Sequence, residues 1–138
     1  MNDYLELSSI RDIYIIYQNN TSLWWLKFLK KGFRHCYLLV HYKKDNVLIK
    51  LDSLSNVMLV DMKKDIKIYD YINYLSTNAD IQIQKVRVGK LEEDVMPVSL
   101  FSCVSFVKRF LGVRSYSTLT PFQLYKLILD CKNIFLDK

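Results

Sequence analysis

The sequence predicts an α+β fold, an antiparallel sheet packed by helices. Three observations carry this. Five runs rich in β-branched and aromatic residues read as strands. Three of them follow one another across links too short for anything but antiparallel pairing. Apolar residues at helical spacing mark the stretches between and after them. The order is strand, helix, three strands, helix, strand, helix, helix, which fits helices laid on one sheet. The 138 residues are expected to form a single domain, 1–138, large enough to bury a core without staples.

The first strand is "DIYIIYQ", followed by the turn cluster "NNTS". "SLWWLKFLKKG" comes next, with Leu23, Leu26 and Leu29 on one side and Trp24, Trp25 and Phe28 nearby. Ser22 can cap it and Gly32 can end it, so a short helix over 22–32 is expected, packed on a sheet or lying at a membrane surface. "RHCYLLVHY", "NVLIKLD" and "NVMLVDM" then form a meander through "KKDN" and "SLS". In "IKIYDYINYLS", Ile68, Tyr71, Ile72 and Leu75 repeat at helical spacing, and "DIQIQKVRV" returns to strand. "GKLEEDVMP" is a polar connection.

"SCVSFVKRFLG" is a helix with Cys103, Phe106, Val107, Phe110 and Leu111 on its apolar side. Ser102 suits the N-cap, Cys103 the first turn and Gly112 the end. The last helix begins in a Thr120–Gln123 capping box with Pro121 at its first position. Leu124, Leu127, Ile128 and Cys131 continue its inner face, so Cys131 belongs to the core.

Composition narrows the function classes. Hydrophobic content of 51% excludes a disordered chain. Cys36, Cys103 and Cys131 form no Cys-x-x-Cys, and there are two histidines, so no metal site and no cofactor are expected. Reduced thiols in a cytosol-like compartment are the default. No basic start with an apolar run marks a signal peptide, and no stretch approaches the roughly 20 apolar residues of a membrane span. The net charge of +6 comes from scattered pairs such as Lys30–Lys31, Lys43–Lys44 and Lys108–Arg109, interrupted by acids. These read as solvated surface, with no nucleic-acid partner expected.

The chemistry-bearing residues converge in outline. A thiol in the first turn of a helix is stabilised as thiolate by unpaired N–H groups and the dipole. A nucleophilic cysteine then needs a base, and the base needs an orienting group. His35, Tyr37, Leu39 and His41 share one face of their strand, and Cys36, Leu38, Val40 and Tyr42 the other. A two-residue hairpin loop sets His35 opposite Asp52. A four-residue loop sets Tyr37 there and leaves His35 on the diagonal. In both, Asp52 faces the imidazole. His35 is therefore the expected base, and His41, near the hairpin tip, is expected at the surface.

"GFRHCYLLV", a following strand ending in "LD", then "FSCVSFVKRFLGV" and "TPFQLY" resemble circularly permuted papain-like cysteine peptidases of the NlpC type. The likeness spans about residues 24–127 and is nearest to small bacterial and phage members, more distant from the lecithin retinol acyltransferase group. In that permuted order the histidine strand precedes the cysteine helix, as here. The resemblance implies a thiolate from Cys103, a base from His35 and a polar orienting residue at Asp52. The Cys103 N–H would serve as one oxyanion donor, with Tyr37 as the candidate second. The family pattern often runs Asp-Pro at the third site, whereas Ser53 follows Asp52 here, so the turn is less fixed. The implied function is a cysteine hydrolase, an amidase, peptidase or acyltransferase acting on a peptide or acyl substrate such as a peptidoglycan peptide. The alternative is a catalytically idle structural or interaction protein on the same fold, with a protein partner in cell-wall machinery or a phage particle or tail. The expected location is cytoplasmic as synthesised, and virion-associated in the phage case.

Overall fold

A computed structural model describes residues 11–19, 29–53, 57–86, 102–111 and 117–135, excluding the side chains of Ser102 and of 131–135. Within them lie β1 (Arg11–Gln18), β2 (His35–Tyr42), β3 (Val47–Ser53), β4 (Met58–Lys64), α1 (Ile68–Ser76), β5 (Ile81–Val86), α2 (Ser102–Leu111) and α3 (Pro121–Phe135). Most of the expected 22–32 helix with both tryptophans, the polar connection at 89–97, the terminating Gly112 and the Cys131 side chain lie outside the described residues.

The strands form one antiparallel sheet in the order β4-β3-β2-β1-β5. The predicted meander is its β2-β3-β4 half. Tyr42 pairs with Val47 and Leu38 with Leu51, so the hairpin loop has four residues. Asn46 takes a left-handed conformation there (φ 49°), a position that Asn tolerates better than most residues. Its side-chain oxygen lies 2.9 Å from His41 Nε2. His41 is buried, not at the surface as its nearness to the hairpin tip suggested, because this bond draws the imidazole back over the turn.

Both faces of the sheet are covered, and the period-2 alternation decides which side chain goes where. Ile13, Ile15, Tyr17, Cys36, Leu38 and Val40 face α2 and α3, meeting Cys103, Val104, Val107, Leu111, Leu124 and Ile128. Tyr14, Ile16, Tyr37, Leu39 and Leu48 face α1, where Leu75 is buried and Ile68, Tyr71 and Ile72 pack beside it. β1 and β2 are apolar on both faces for this reason. By contrast β4, at one edge, is exposed throughout.

Helix ends follow from local chemistry. The capping box forms as the sequence requires: Gln123 N–H donates to Thr120 Oγ1 (3.3 Å), and Gln123 Oε1 accepts from Thr120 N–H (3.1 Å) and Leu119 N–H (2.9 Å). The approach to β2 turns at Gly32, whose φ of 86° favours glycine, and its N–H donates to Asn19 Oδ1 at 2.9 Å. Phe33 beyond it packs edge-on against Phe122 and tilted against Tyr125, anchoring the start of β2 to α3. Lys108 departs from the solvated surface expected of the basic pairs. It is buried on α2 and its ammonium donates to the Thr118 carbonyl at 2.8 Å, joining α2 to the lead-in of α3.

Candidate functional site

One end of the sheet gathers the start of β2 and the end of β3, and the first turn of α2 reaches it. His35 opens β2, and Asp52 stands next to last on β3. The register continues to Tyr37 opposite Asp52, so His35 reaches Asp52 along the diagonal, the arrangement expected of a four-residue loop. His35 Nε2 lies 2.6 Å from Asp52 Oδ1, with both side chains buried. At that length, in a site shielded from water, the bond is charge-assisted. Lys50 Nζ sits 3.7 Å from the other Asp52 oxygen, a second cation beside the carboxylate.

Cys103 lies in the first turn of α2 and is buried. α2 packs on the Cys36–Leu38–Val40 face of β2, the opposite side from Tyr37. His35 is the first residue of its strand, and it is there that it meets Cys103.

The electrostatics follow from this crowding. Burial works to lower the His35 pKa, but hydrogen bonds to Asp52 and Cys103, with the charges of both, raise it to about 9. The imidazole is therefore held as imidazolium at neutral pH. The Cys103 thiol is pulled well below its ordinary value. A hydrogen bond from the Cys36 thiol contributes most, burial opposes, and the hydrogen bond and charge of His35 and the Cys36 backbone N–H add to the lowering. Cys36 moves the other way, well above its ordinary value, through its bond to Cys103, its burial and the nearby negative charges. These directions favour a thiolate at Cys103 beside an imidazolium and a neutral Cys36 thiol.

Of the four sequence-predicted residues, the structure brings three together: Cys103, His35 and Asp52. Tyr37 is apart. Its ring packs in the α1-side core with Lys50 Nζ 4.3 Å above it, and the sheet stands between it and Cys103. We therefore assign it no oxyanion role. Sequence reasoning missed Cys36 and Lys50. The alternation that separates Cys36 from His35 was correct, but the helix covers the Cys36 side. No local signal gave this, because alternation defines two faces of β2 without saying which helix covers each. Among the described residues, no group of three His, Cys, Asp or Glu side chains could hold a metal ion, and no helix is long and apolar enough to cross a membrane.

Comparison with protein-family models, with curated proteins and with solved structures finds no match for this chain.

Proposed function

We propose that this protein is a papain-like thiol hydrolase or acyltransferase, with Cys103 as nucleophile, His35 as acid and base, and Asp52 as the group that orients and charges the imidazole. One observation carries the reading: an imidazole bonded at 2.6 Å to a buried carboxylate is also hydrogen-bonded to a first-turn cysteine whose pKa is depressed. The resemblance of "GFRHCYLLV" and "FSCVSFVKRFLGV" to permuted NlpC-type peptidases, carried by the same residues, points the same way.

The Cys103 thiolate attacks the acyl carbon of an amide, ester or thioester. The backbone N–H of Cys103, at the helix start, donates to the developing oxyanion. His35 gives its proton to the leaving group, and the acyl group stays on the sulfur. Neutral His35 then takes a proton from water, or from an acceptor alcohol or amine, as that group attacks the acyl carbon and releases Cys103. Asp52 holds the ring in place through both halves. A peptide of the bacterial wall is the substrate class the resemblance favours.

Alkylation with iodoacetamide tests this. Cys103 is expected to label much faster than Cys36 or Cys131, at a rate that stays high well below the free-thiol pKa of about 8.5. Slow, equal labelling of the three thiols would refute the assignment. A second reading, an idle interaction protein, draws on β4 and the residue before it, where Val57, Leu59, Val60 and Met62 are each half exposed or more. It expects Cys103→Ala to leave assembly with a partner intact while no acyl-enzyme forms in the parent protein.

A further inference from the structure

The hydrolase reading uses Cys103 as nucleophile and gives Cys36, which helps to lower the Cys103 pKa, no covalent step of its own. Cys36 is the second residue of β2 and points to the side on which α2 lies. Both sulfurs belong to the same buried cluster, in which Val104 and Val107 of α2 pack with Leu38 and Val40 of β2. α2 packs directly on β2 with both cysteines buried in the shared cluster, and the Cys36 thiol and backbone N–H lie within hydrogen-bonding reach of the Cys103 sulfur. They are free thiols here. Both are buried, Cys36 wholly and Cys103 with 5% of its surface exposed.

We propose that Cys36 and Cys103 are a two-cysteine redox site that takes a peroxide as oxidant and closes into a reversible disulfide. The proposal rests on the reading of Cys103 as the reactive thiolate and adds a means of switching it off. Cys103, the less deeply buried of the two, meets the oxidant, and Cys36 resolves the product.

The chemistry balances. The Cys103 thiolate attacks one oxygen of hydrogen peroxide, the O–O bond breaks, and the departing hydroxide takes a proton from His35 to become water. Cys103 is now a sulfenic acid. The Cys36 sulfur attacks the Cys103 sulfur, an S–S bond forms and the S–O bond breaks. The second hydroxide leaves as water with the Cys36 proton. Peroxide is reduced to two waters, and two thiols are oxidised to one disulfide. A dithiol reductant reverses the step by exchange. The disulfide ties the nucleophile to β2 and removes the thiolate from the active site.

The test uses the full chain with hydrogen peroxide at neutral pH, read by intact mass and by peptide mapping without reduction. The expected product is a monomer that has lost two hydrogens, with Cys36 joined to Cys103, restored by dithiothreitol. Cys131→Ser is expected to behave in the same way. Cys36→Ser is expected to gain one or two oxygens on Cys103 instead, with the first trapped by dimedone. Oxygen added to Cys103 of the parent protein with Cys36 still a free thiol would overturn the proposal, as would a bridge to Cys131 or no oxidation. Iodoacetamide labelling at mildly acidic pH separates the two readings. Fast labelling of Cys103 without a disulfide overturns the pair alone. A disulfide in a chain whose Cys103 labels slowly leaves the pair and removes the hydrolase.

Discussion

Replacing Asp52 with asparagine isolates what the carboxylate does for His35. The imidazole is raised from 6.5 to about 9 against the opposing effect of burial. That shift corresponds to about 3 kcal/mol of preference for the charged ring. Two partners, Asp52 and Cys103, produce it, and Asp52 is the one at 2.6 Å. Asparagine keeps the shape and one hydrogen bond but no charge, so burial is left opposed by Cys103 alone. The His35 pKa in Asp52→Asn is expected to fall by at least about one unit, a tenfold or greater loss of imidazolium at a pH above the new value. The chain holds only two histidines, His35 and His41, so proton NMR of the ring C–H signals against pH reads each directly. Cys103 alkylation at mildly acidic pH should slow in parallel, because the thiolate loses part of its counter-charge. A His35 that titrates near 6.5 in the parent protein, or one that Asp52→Asn leaves unmoved, would refute the reasoning.

The same shift makes stability depend on pH: a group raised on folding contributes fully below about pH 6.5, and its contribution is lost as pH rises through about 9. Depressed Cys103 acts with the opposite sign, so Cys103→Ala exposes the His35 effect: its urea midpoint is expected to fall between those pH values, with the upper limit brought down by the missing sulfur. Gln123→Ala removes the acceptor of two N–H groups at the start of α3 and is expected to cost about 1 kcal/mol by chemical denaturation. Ile16→Ala, wholly buried on β1 against the α1 side, should cost about 2–5 kcal/mol in the same assay.

The meander was legible because its links are short: "KKDN" and "SLS" leave β2, β3 and β4 no choice but to neighbour one another. The capping box was legible because every group in it lies within five residues. Nothing local indicates where β1 and β5 sit, since residues 19–34 and 65–80 are long enough to reach several positions in a sheet. Their seats are set by the match of Ile13, Ile15 and Tyr17 to α2 and α3 on one side, and of Ile16 and Ile83 to α1 on the other. The His35–Asp52 contact followed from register alone. The seating of α2 on the Cys36 face did not, because alternation defines two faces without saying which helix takes each. His41 and Lys108 were misjudged for one reason: polarity was read as exposure, whereas Asn46 and the Thr118 carbonyl supply each with a hydrogen-bond partner.

β2 occupies the middle of the five strands, with β1 and β3 bonded along its two sides. Losing either neighbour would displace the imidazole together with the sulfur beside it, so reactivity and cooperative unfolding ought to disappear at a single denaturant concentration. The acid-resistant labelling expected at Cys103 would thereby report global integrity, and would do so in crude mixtures.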